Sequence, residues 1–281
     1  MKITGAVIKK DLLNTTRFYL CTGNEIVTLD SHEELPIDKL IEVTGEHTHY
    51  FFNVTSAREI ADIVLEKKIK EFLSFNQPKV KLFTDAPSLC KMEKSFENAA
   101  EAIAQAVFQL RTIKIRYDGD CDGIMAALIM KKGIEQFASD KKIPLFIRFQ
   151  QSSGAVYREK DREEDNGTLV ENSLLILLDH GANEESKNTL CHSAKNFEVM
   201  AIDHHPPAQK HCIKHFVSPF TLKNCDEPAS YNTGMLAFEI SRRLAPEIED
   251  ALLPYRYYSM QSDTSSFRKK EFFQEPITID Y

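Results

Sequence analysis

Thr112-Ile-Lys-Ile-Arg-Tyr-Asp-Gly-Asp-Cys-Asp-Gly123 is the stretch that decides the fold. A β-leaning run, Thr112–Tyr117, ends in three aspartates at alternate positions, Asp118, Asp120 and Asp122, with a glycine behind them. A run rich in Ala, Met, Leu and Ile follows over 123–137 and reads as a helix. A strand that delivers acids at its carboxyl end and passes straight into a helix opens a parallel α/β unit. Three carboxylates this close repel one another and lose hydration on burial, so a positive charge must sit among them. A divalent cation is the natural partner.

The same grammar recurs twice. Leu174–Leu178 runs into Asp179, and the apolar run 199–202 runs into Asp203, which is followed directly by His204 and His205. Open parallel sheets place ligand sites outside the carboxyl ends of their strands, so three acid-ended strands can converge on one rim. Each piece has an ordinary use: an Asp after a strand commonly caps the next helix, and Asp179 taken alone reads that way. A calcium loop would need a Glu six residues after the glycine, where Ile129 stands. Cys121, between two acids, is expected to be a small core residue beneath the site, because side chains alternate along a strand end. Near the other end, Ser262-Asp263 breaks an otherwise helical run.

Outward from this centre, the first 55 or so residues carry five short β-leaning segments, at 2–9, 16–21, 25–30, 40–45 and 49–55, parted by turn-forming residues. They predict a small antiparallel barrel of the oligonucleotide-binding (OB) type. Phe18, Tyr19, Tyr50, Phe51 and Phe52 either stack bases or fill the barrel, and the strand preference of aromatics favours filling. The reading divides the chain into 1–56 (barrel), 57–90 (helix and linker) and 91–281 (α/β domain). Within it, helical spacing predicts helices over 57–75, 91–110, 184–194, 231–244 and 247–262, with Pro254 bending or splitting the last. Further strands are expected at 143–148, 197–202 and 216–217. The polar stretch 151–172 reads as a loop with a short helix. Its Arg158 and Arg162 are either phosphate contacts or part of a solvated charged surface. Ser230 and Thr233 read as helix N-caps, with anion binding as the alternative.

Composition bounds the class. With 42% apolar and 27% charged residues, the 281-residue chain is that of a soluble globular protein. No run approaches the ~20 apolar residues of a membrane helix, and the first residues lack the apolar core of a secretory signal. Six scattered cysteines show no paired spacing, so reduced thiols and a cytoplasmic location are expected. The formal charge of −7 does not exclude a nucleic-acid enzyme, since acids gathered around cations inflate the count.

Taken together, Asp-Gly-Asp-Cys-Asp-Gly at 118–123, Leu-Asp-His-Gly at 178–181, Asp-His-His at 203–205 and Ser-Asp at 262–263 resemble the four motifs of the DHH phosphoesterase superfamily. Spacing and the N-terminal barrel look most like its archaeal RecJ-like nucleases, over roughly residues 90–265. The resemblance implies an α/β fold: a parallel-sheet DHH domain with helices on both faces, preceded by an OB-like barrel. It implies that Asp118 and Asp120 hold a first metal, that Asp122, His204 and Asp263 hold a second, and that Asp179 bridges them. His205 would face the scissile phosphate, with Asp203 orienting the histidine pair. Two Mn²⁺ ions are implied as cofactor, with Mg²⁺ as the alternative.

The implied activity is a hydrolase, a two-metal exonuclease on single-stranded DNA or RNA, in DNA replication or repair or in RNA processing. Two alternatives stand beside it: a phosphodiesterase of short oligoribonucleotides or cyclic dinucleotides, and a structural subunit of an archaeal replication complex with a GINS-type partner. The superfamily usually adds a C-terminal domain with a glycine-rich, histidine-containing motif. No stretch through Tyr281 carries that motif, so substrate grip is expected from the barrel, a partner or the loop with Arg158 and Arg162.

Overall fold

The computed structural model describes residues 1–11, 14, 16–83, 87–208, 212–223, 228 and 231–262. The chain divides into two compact units. One comprises 1–76 with 107–110 and 138–145; the other comprises 77–106, 111–137 and the chain from Phe146 onward.

In the first unit five strands close into a barrel: β1 (Lys2–Lys10), β2 (Arg17–Cys21), β3 (Ile26–Asp30), β4 (Leu40–His47) and β5 (Phe52–Glu59), in the order β1-β2-β3-β5-β4. All neighbours are antiparallel except β3 and β5, where Leu29 pairs with Phe52 in parallel. This is an OB-like barrel. Alternate residues point inward, and Val7, Phe18, Leu20, Leu29, Leu35, Ile41, Val43 and Phe52 make the interior. Of the five aromatics, Phe18, Tyr19 and Phe52 are buried. Tyr50 is 86% exposed, and Phe51 is half-buried with the Arg17 guanidinium 5.5 Å from its ring centre. The helix expected from residue 57 begins later. Residues up to Glu59 stay in β5 because they pair with β4 as far as Ile41, and α1 (Ile63–Phe72) starts only after Asp62, whose carboxylate accepts from Leu65 N at 3.0 Å.

The second unit holds a five-stranded parallel sheet, β6 (Thr112–Tyr117), β7 (Phe146–Gln151), β8 (Leu174–Leu178), β9 (Glu198–Ile202) and β10 (His215–Val217), in the order β10-β9-β8-β6-β7. The central strand β8, Leu-Leu-Ile-Leu-Leu, is buried at every position, as a strand covered on both faces must be. The helices are α2 (Pro87–Phe108), α3 (Cys121–Asp140), α4 (Glu159–Thr168), α5 (Lys187–Ser193), α6 (Thr233–Leu244) and α7 (Glu249–Ser262). Pro254 does not split α7. Leu252, Arg256, Ser259 and Met260 are buried on either side of it, and that packing carries the helix across the missing hydrogen bond.

The polar stretch after β7 contains α4, which has no apolar stripe to dock with. It is held by charge. Lys114 and Arg116, two residues apart on β6 and facing the same side, are buried against Asp165, at 2.5 and 2.8 Å. Arg116 also reaches Asp161 at 2.9 Å, and the Tyr157 hydroxyl donates to Asp165 at 2.9 Å. Pairing of this kind is what lets charged groups sit inside a fold.

The expectation of reduced thiols fails for one pair. Cys191 on α5 and Cys212 ahead of β10 come to a Cα–Cα distance of 5.4 Å and form a disulfide. Both segments flank β9, so the fold joins what the sequence separates by 21 residues. With this bridge the cysteine argument for a reducing compartment loses its basis. Cys21, Cys90 and Cys121 are free thiols. Among the described residues no helix is long and apolar enough to cross a membrane.

Candidate metal centre

The strand order places β9, β8 and β6 side by side, so their three terminal acids share one rim. Each acid extends the ladder by one step. Asp118 N donates to Leu178 O at 3.2 Å, Asp179 N to Ile202 O at 3.0 Å and Asp203 N to Val217 O at 3.1 Å. Among the described residues two groups of ligand atoms result, each lying within 4.8 Å of one another: Asp118, Asp120 and Asp179, and Asp179, His204 and His205. Asp179 belongs to both.

The turn after β6 is built by its own acids. Asp118 Oδ1 accepts from Gly119 N at 2.6 Å, and Asp120 Oδ1 accepts from Gly123 N at 2.9 Å, which starts α3. A Cβ at position 123 would collide with the Asp118 carbonyl, so glycine is required there. Cys121 is the exposed first residue of α3 and not a core side chain. The strand alternation behind that expectation ends at Tyr117.

Asp179 is held in the left-handed region, at φ 55°, a conformation that costs a non-glycine residue about 1–3 kcal/mol and concentrates at functional sites. Its Oδ1 accepts from the Thr233 hydroxyl at 3.0 Å and lies 3.4 Å from both His204 Nε2 and His205 Nδ1. Its Oδ2 is buried with no hydrogen-bond partner among the described residues. Burial pushes the Asp179 carboxyl above its usual range, and it does the same to Asp118. An orphaned carboxylate oxygen amid acids and imidazoles fits a divalent cation, which would reverse that upward pressure.

Asp203 is wholly engaged by the chain. Its Oδ1 accepts from His205 N at 2.9 Å and His205 Nδ1 at 2.8 Å, and its Oδ2 accepts from Ala182 N at 3.0 Å. The side-chain hydrogen bond raises the His205 imidazolium above its ordinary value. His204 Nε2 stands 3.8 Å from Asp122 Oδ2. Asp122 itself lies outside both ligand groups, and three donors engage it. Thr233 N donates to Oδ2 at 2.8 Å; Gly234 N and the Ser259 hydroxyl donate to Oδ1 at 2.9 and 2.6 Å. The start of α3 is thereby tied to the start of α6 and to α7. Burial, and then the charge of Asp179, push the Asp122 carboxyl up to about 7.

The remaining expected residues fall as follows. Asp263 and Ser230 lie outside the described residues. Asn232, not Thr233, caps α6, accepting from Met235 N at 3.2 Å. Arg158 is exposed at the N-cap of α4, where its backbone N–H donates to Asp161 at 2.8 Å. Arg162 Nε donates to Glu159 at 2.8 Å. Sequence reasoning gave no role to three contributors, Gly234, Ser259 and His180, and Thr233 holds Asp179 in place of the cap expected of it. His180 is buried, with Nδ1 2.8 Å from Gly154 O and Nε2 3.3 Å from Ser152 Oγ, so it pins the loop after β7. Burial lowers its pKa. Asn232-Thr233-Gly234 at a helix start was the one readable hint of a backbone anion cradle.

Residues 112–258, just over half of the chain, match the DHH family, N-terminal domain. An uncharacterised protein of Methanocaldococcus jannaschii, MJ1198, is 25% identical over 277 residues, covering 84% of this chain and 35% of the relative. Among solved structures, the DHH domain of PF0399, described as a member of a family of ribosomal proteins, superposes with a TM-score of 0.57 at 21% identity. That match covers 74% of this chain and 56% of the other, and it is a likeness of fold. Exonuclease RecJ bound to manganese gives a TM-score of 0.45 at 19% identity, over 55% of this chain and 38% of the other. The chain thus spans about a third of the curated relative and a little over half of PF0399. All three acid-ended strands and the Asp-His-His motif fall inside the matched segment, and the chain belongs to the DHH family.

Proposed function

We propose that this chain is a divalent-cation-dependent phosphodiesterase that hydrolyses single-stranded DNA or RNA from an end, with Mn²⁺ preferred and Mg²⁺ able to replace it. The observation that carries this reading is Asp179, one buried carboxylate common to two ligand groups, with an oxygen that has no partner among the described residues. On this reading Asp118 and Asp120 complete one cation site and His204 the other, where Asp263 is also assigned. Cations held there would polarise phosphoryl oxygens and acidify water. Mixed carboxylate and imidazole donors suit Mn²⁺.

The rest of the chemistry falls to the chain. Asp203 holds Nδ1–H of His205, which leaves Nε2 to face a phosphoryl oxygen and stabilise the charge that develops on it. Thr233 fixes the orientation of Asp179 through its hydroxyl. Asp122 serves as a positioning residue, holding the start of α6 where Thr233 can do so. On the barrel, Tyr50 and Phe51 beside Arg17 offer unpaired bases a stacking surface.

The test is a gel assay with end-labelled single-stranded DNA, single-stranded RNA and a dinucleotide, each with Mn²⁺ or Mg²⁺. Metal-dependent shortening of a long strand, lost in His204→Ala, is the expected result. Cleavage of the dinucleotide alone would replace the exonuclease with a small-substrate phosphodiesterase. Cleavage undiminished in His204→Ala would overturn the site.

A further inference from the structure

A cavity lies in the second unit, away from the metal centre. Its volume is about 610 Å³, and it is lined by the irregular segment 77–81, by Glu93 and Glu97 of α2 and by Arg243 of α6. Arg243 is ten residues beyond Thr233 on one helix, which puts it about 15 Å along the axis from the residue that holds Asp179. Helix α6 therefore reaches the cavity from the end opposite the catalytic rim.

Two buried donors on this cavity have no acceptor among the described residues. Arg243 is 2% exposed. Its Nη1 donates to Glu239 O at 2.7 Å and Glu239 Oε2 at 3.0 Å, and its guanidinium carbon lies 5.3 Å from the centre of the Phe96 ring. Its Nη2 is buried without a hydrogen-bond partner among the described residues and is ion-paired with Glu93 Oε1 at 3.7 Å. The amide nitrogen of Gln77 is likewise buried and unpartnered among the described residues. A buried donor left without an acceptor is destabilising, so two on one cavity wall are a standing demand for one. Lys79 and Lys81, both exposed, bring two more cations to the same wall. Against these three cations stand Glu93, Glu97, which is paired with Lys94 at 3.1 Å, and the buried Glu239, which Arg243 shares with Arg242 at 3.0 and 3.2 Å.

We propose that this cavity is a binding site for a small phosphorylated ligand of sugar-phosphate size. Arg243 Nη2, Lys79 and Lys81 would receive the phosphoryl group, and Glu93 would accept from a hydroxyl of the attached carbon skeleton. A guanidinium flanked by ammonium groups is suited to phosphate. A neutral ligand would bring no anion to Lys79 and Lys81. The volume falls within the range of small-molecule sites. The inference stands apart from the proposed hydrolysis and does not need it.

The experiment is calorimetric titration of the full chain in EDTA with ribose 5-phosphate, inorganic phosphate and ribose. Chelation keeps divalent cations out of the metal centre, so that centre cannot capture the probes. Ribose 5-phosphate is expected to bind, and the paired change Lys79→Ala and Lys81→Ala is expected to weaken it at least about tenfold with an unchanged melting temperature. Gln77→Leu should weaken it too, and Asp179→Asn should not. Arg243→Gln should abolish uptake; should that variant not fold, the exposed lysine pair and Gln77 decide the matter. Inorganic phosphate binding as well as the sugar phosphate, with the same sensitivity to the lysines, supports a phosphoryl site that takes the free ion. The proposal is overturned by no uptake of either phosphate, by ribose binding as well as its phosphate, or by uptake indifferent to the lysine pair.

Discussion

Replacing Gly234 by alanine tests the packing that aims the candidate site. A Cβ at 234 would stand 2.5 Å from Ser259 Cβ and 3.2 Å from Asp122 Oδ1, and would overlap the Ser259 hydroxyl. Ser259 must yield, which moves α7 and takes its hydroxyl away from Asp122. Overpacking of this kind costs about 1–3 kcal/mol, and losing a hydrogen bond to a carboxylate costs about 1.5–3 kcal/mol. Alanine returns about 1 kcal/mol of helix propensity. The net is a loss of about 3 kcal/mol, which for a unit of this size lowers the melting temperature by about 6–12 °C. Thermal unfolding followed by circular dichroism measures it. Ser259→Gly removes both colliding atoms, so the double variant Gly234→Ala, Ser259→Gly should recover the overpacking share, a favourable coupling of about 2 kcal/mol. A Gly234→Ala protein that melts within about 2 °C of the wild type, or a double variant whose losses simply add, would refute the reasoning.

Three further outcomes are expected. Reducing the Cys191–Cys212 bridge, or replacing both cysteines by serine, should cost about 3 kcal/mol through the 21-residue separation it spans; melting curves that coincide with and without reductant would contradict this. Glu198 is partly buried, which works against its charge, yet hydrogen bonds from Arg111 at 2.6 Å and His215 at 2.8 Å outweigh burial and hold its pKa at about 2. Because the folded value lies below the unfolded 4.5, its stabilisation is present above pH ~4.5 and lost as pH falls toward ~2. The stability gap between wild type and Glu198→Gln, about 2 kcal/mol at pH 6 once solvent screening of this partly exposed group is allowed for, should therefore close over that interval, and a gap independent of pH would sink the assignment. Changing Tyr50 and Phe51 to alanine should weaken binding of single-stranded oligonucleotide in fluorescence anisotropy by about 1–3 kcal/mol per stacked base; unchanged affinity would leave the barrel without that role.

The parts of the fold that follow from local pattern were legible. Apolar strands ending in Asp118, Asp179 and Asp203 announce a parallel sheet and its rim, and five short alternating segments announce the barrel. What escaped reading depends on pairs far apart in sequence. Asp122 finds its donors at Thr233, Gly234 and Ser259, more than a hundred residues on, so no local spacing reveals that both its oxygens are engaged. Helix α4 was hard to place because charges on β6 hold it, and hydrophobic periodicity is silent about charge. The disulfide escaped for a related reason, since Cys191 and Cys212 become neighbours only when β9 is laid between their segments. Cys121 was misplaced by carrying strand alternation past the point where the helix begins.

The central claim is that Asp179 serves two cation sites at once. Calorimetric titration of Mn²⁺ into the wild-type chain and into Asp179→Asn tests it most directly. The account predicts uptake of two ions by the wild type and loss of affinity for both in the variant, because each ligand group gives up its shared carboxylate. A wild type that takes up no manganese, or a variant that binds two ions as tightly as the wild type, would contradict it.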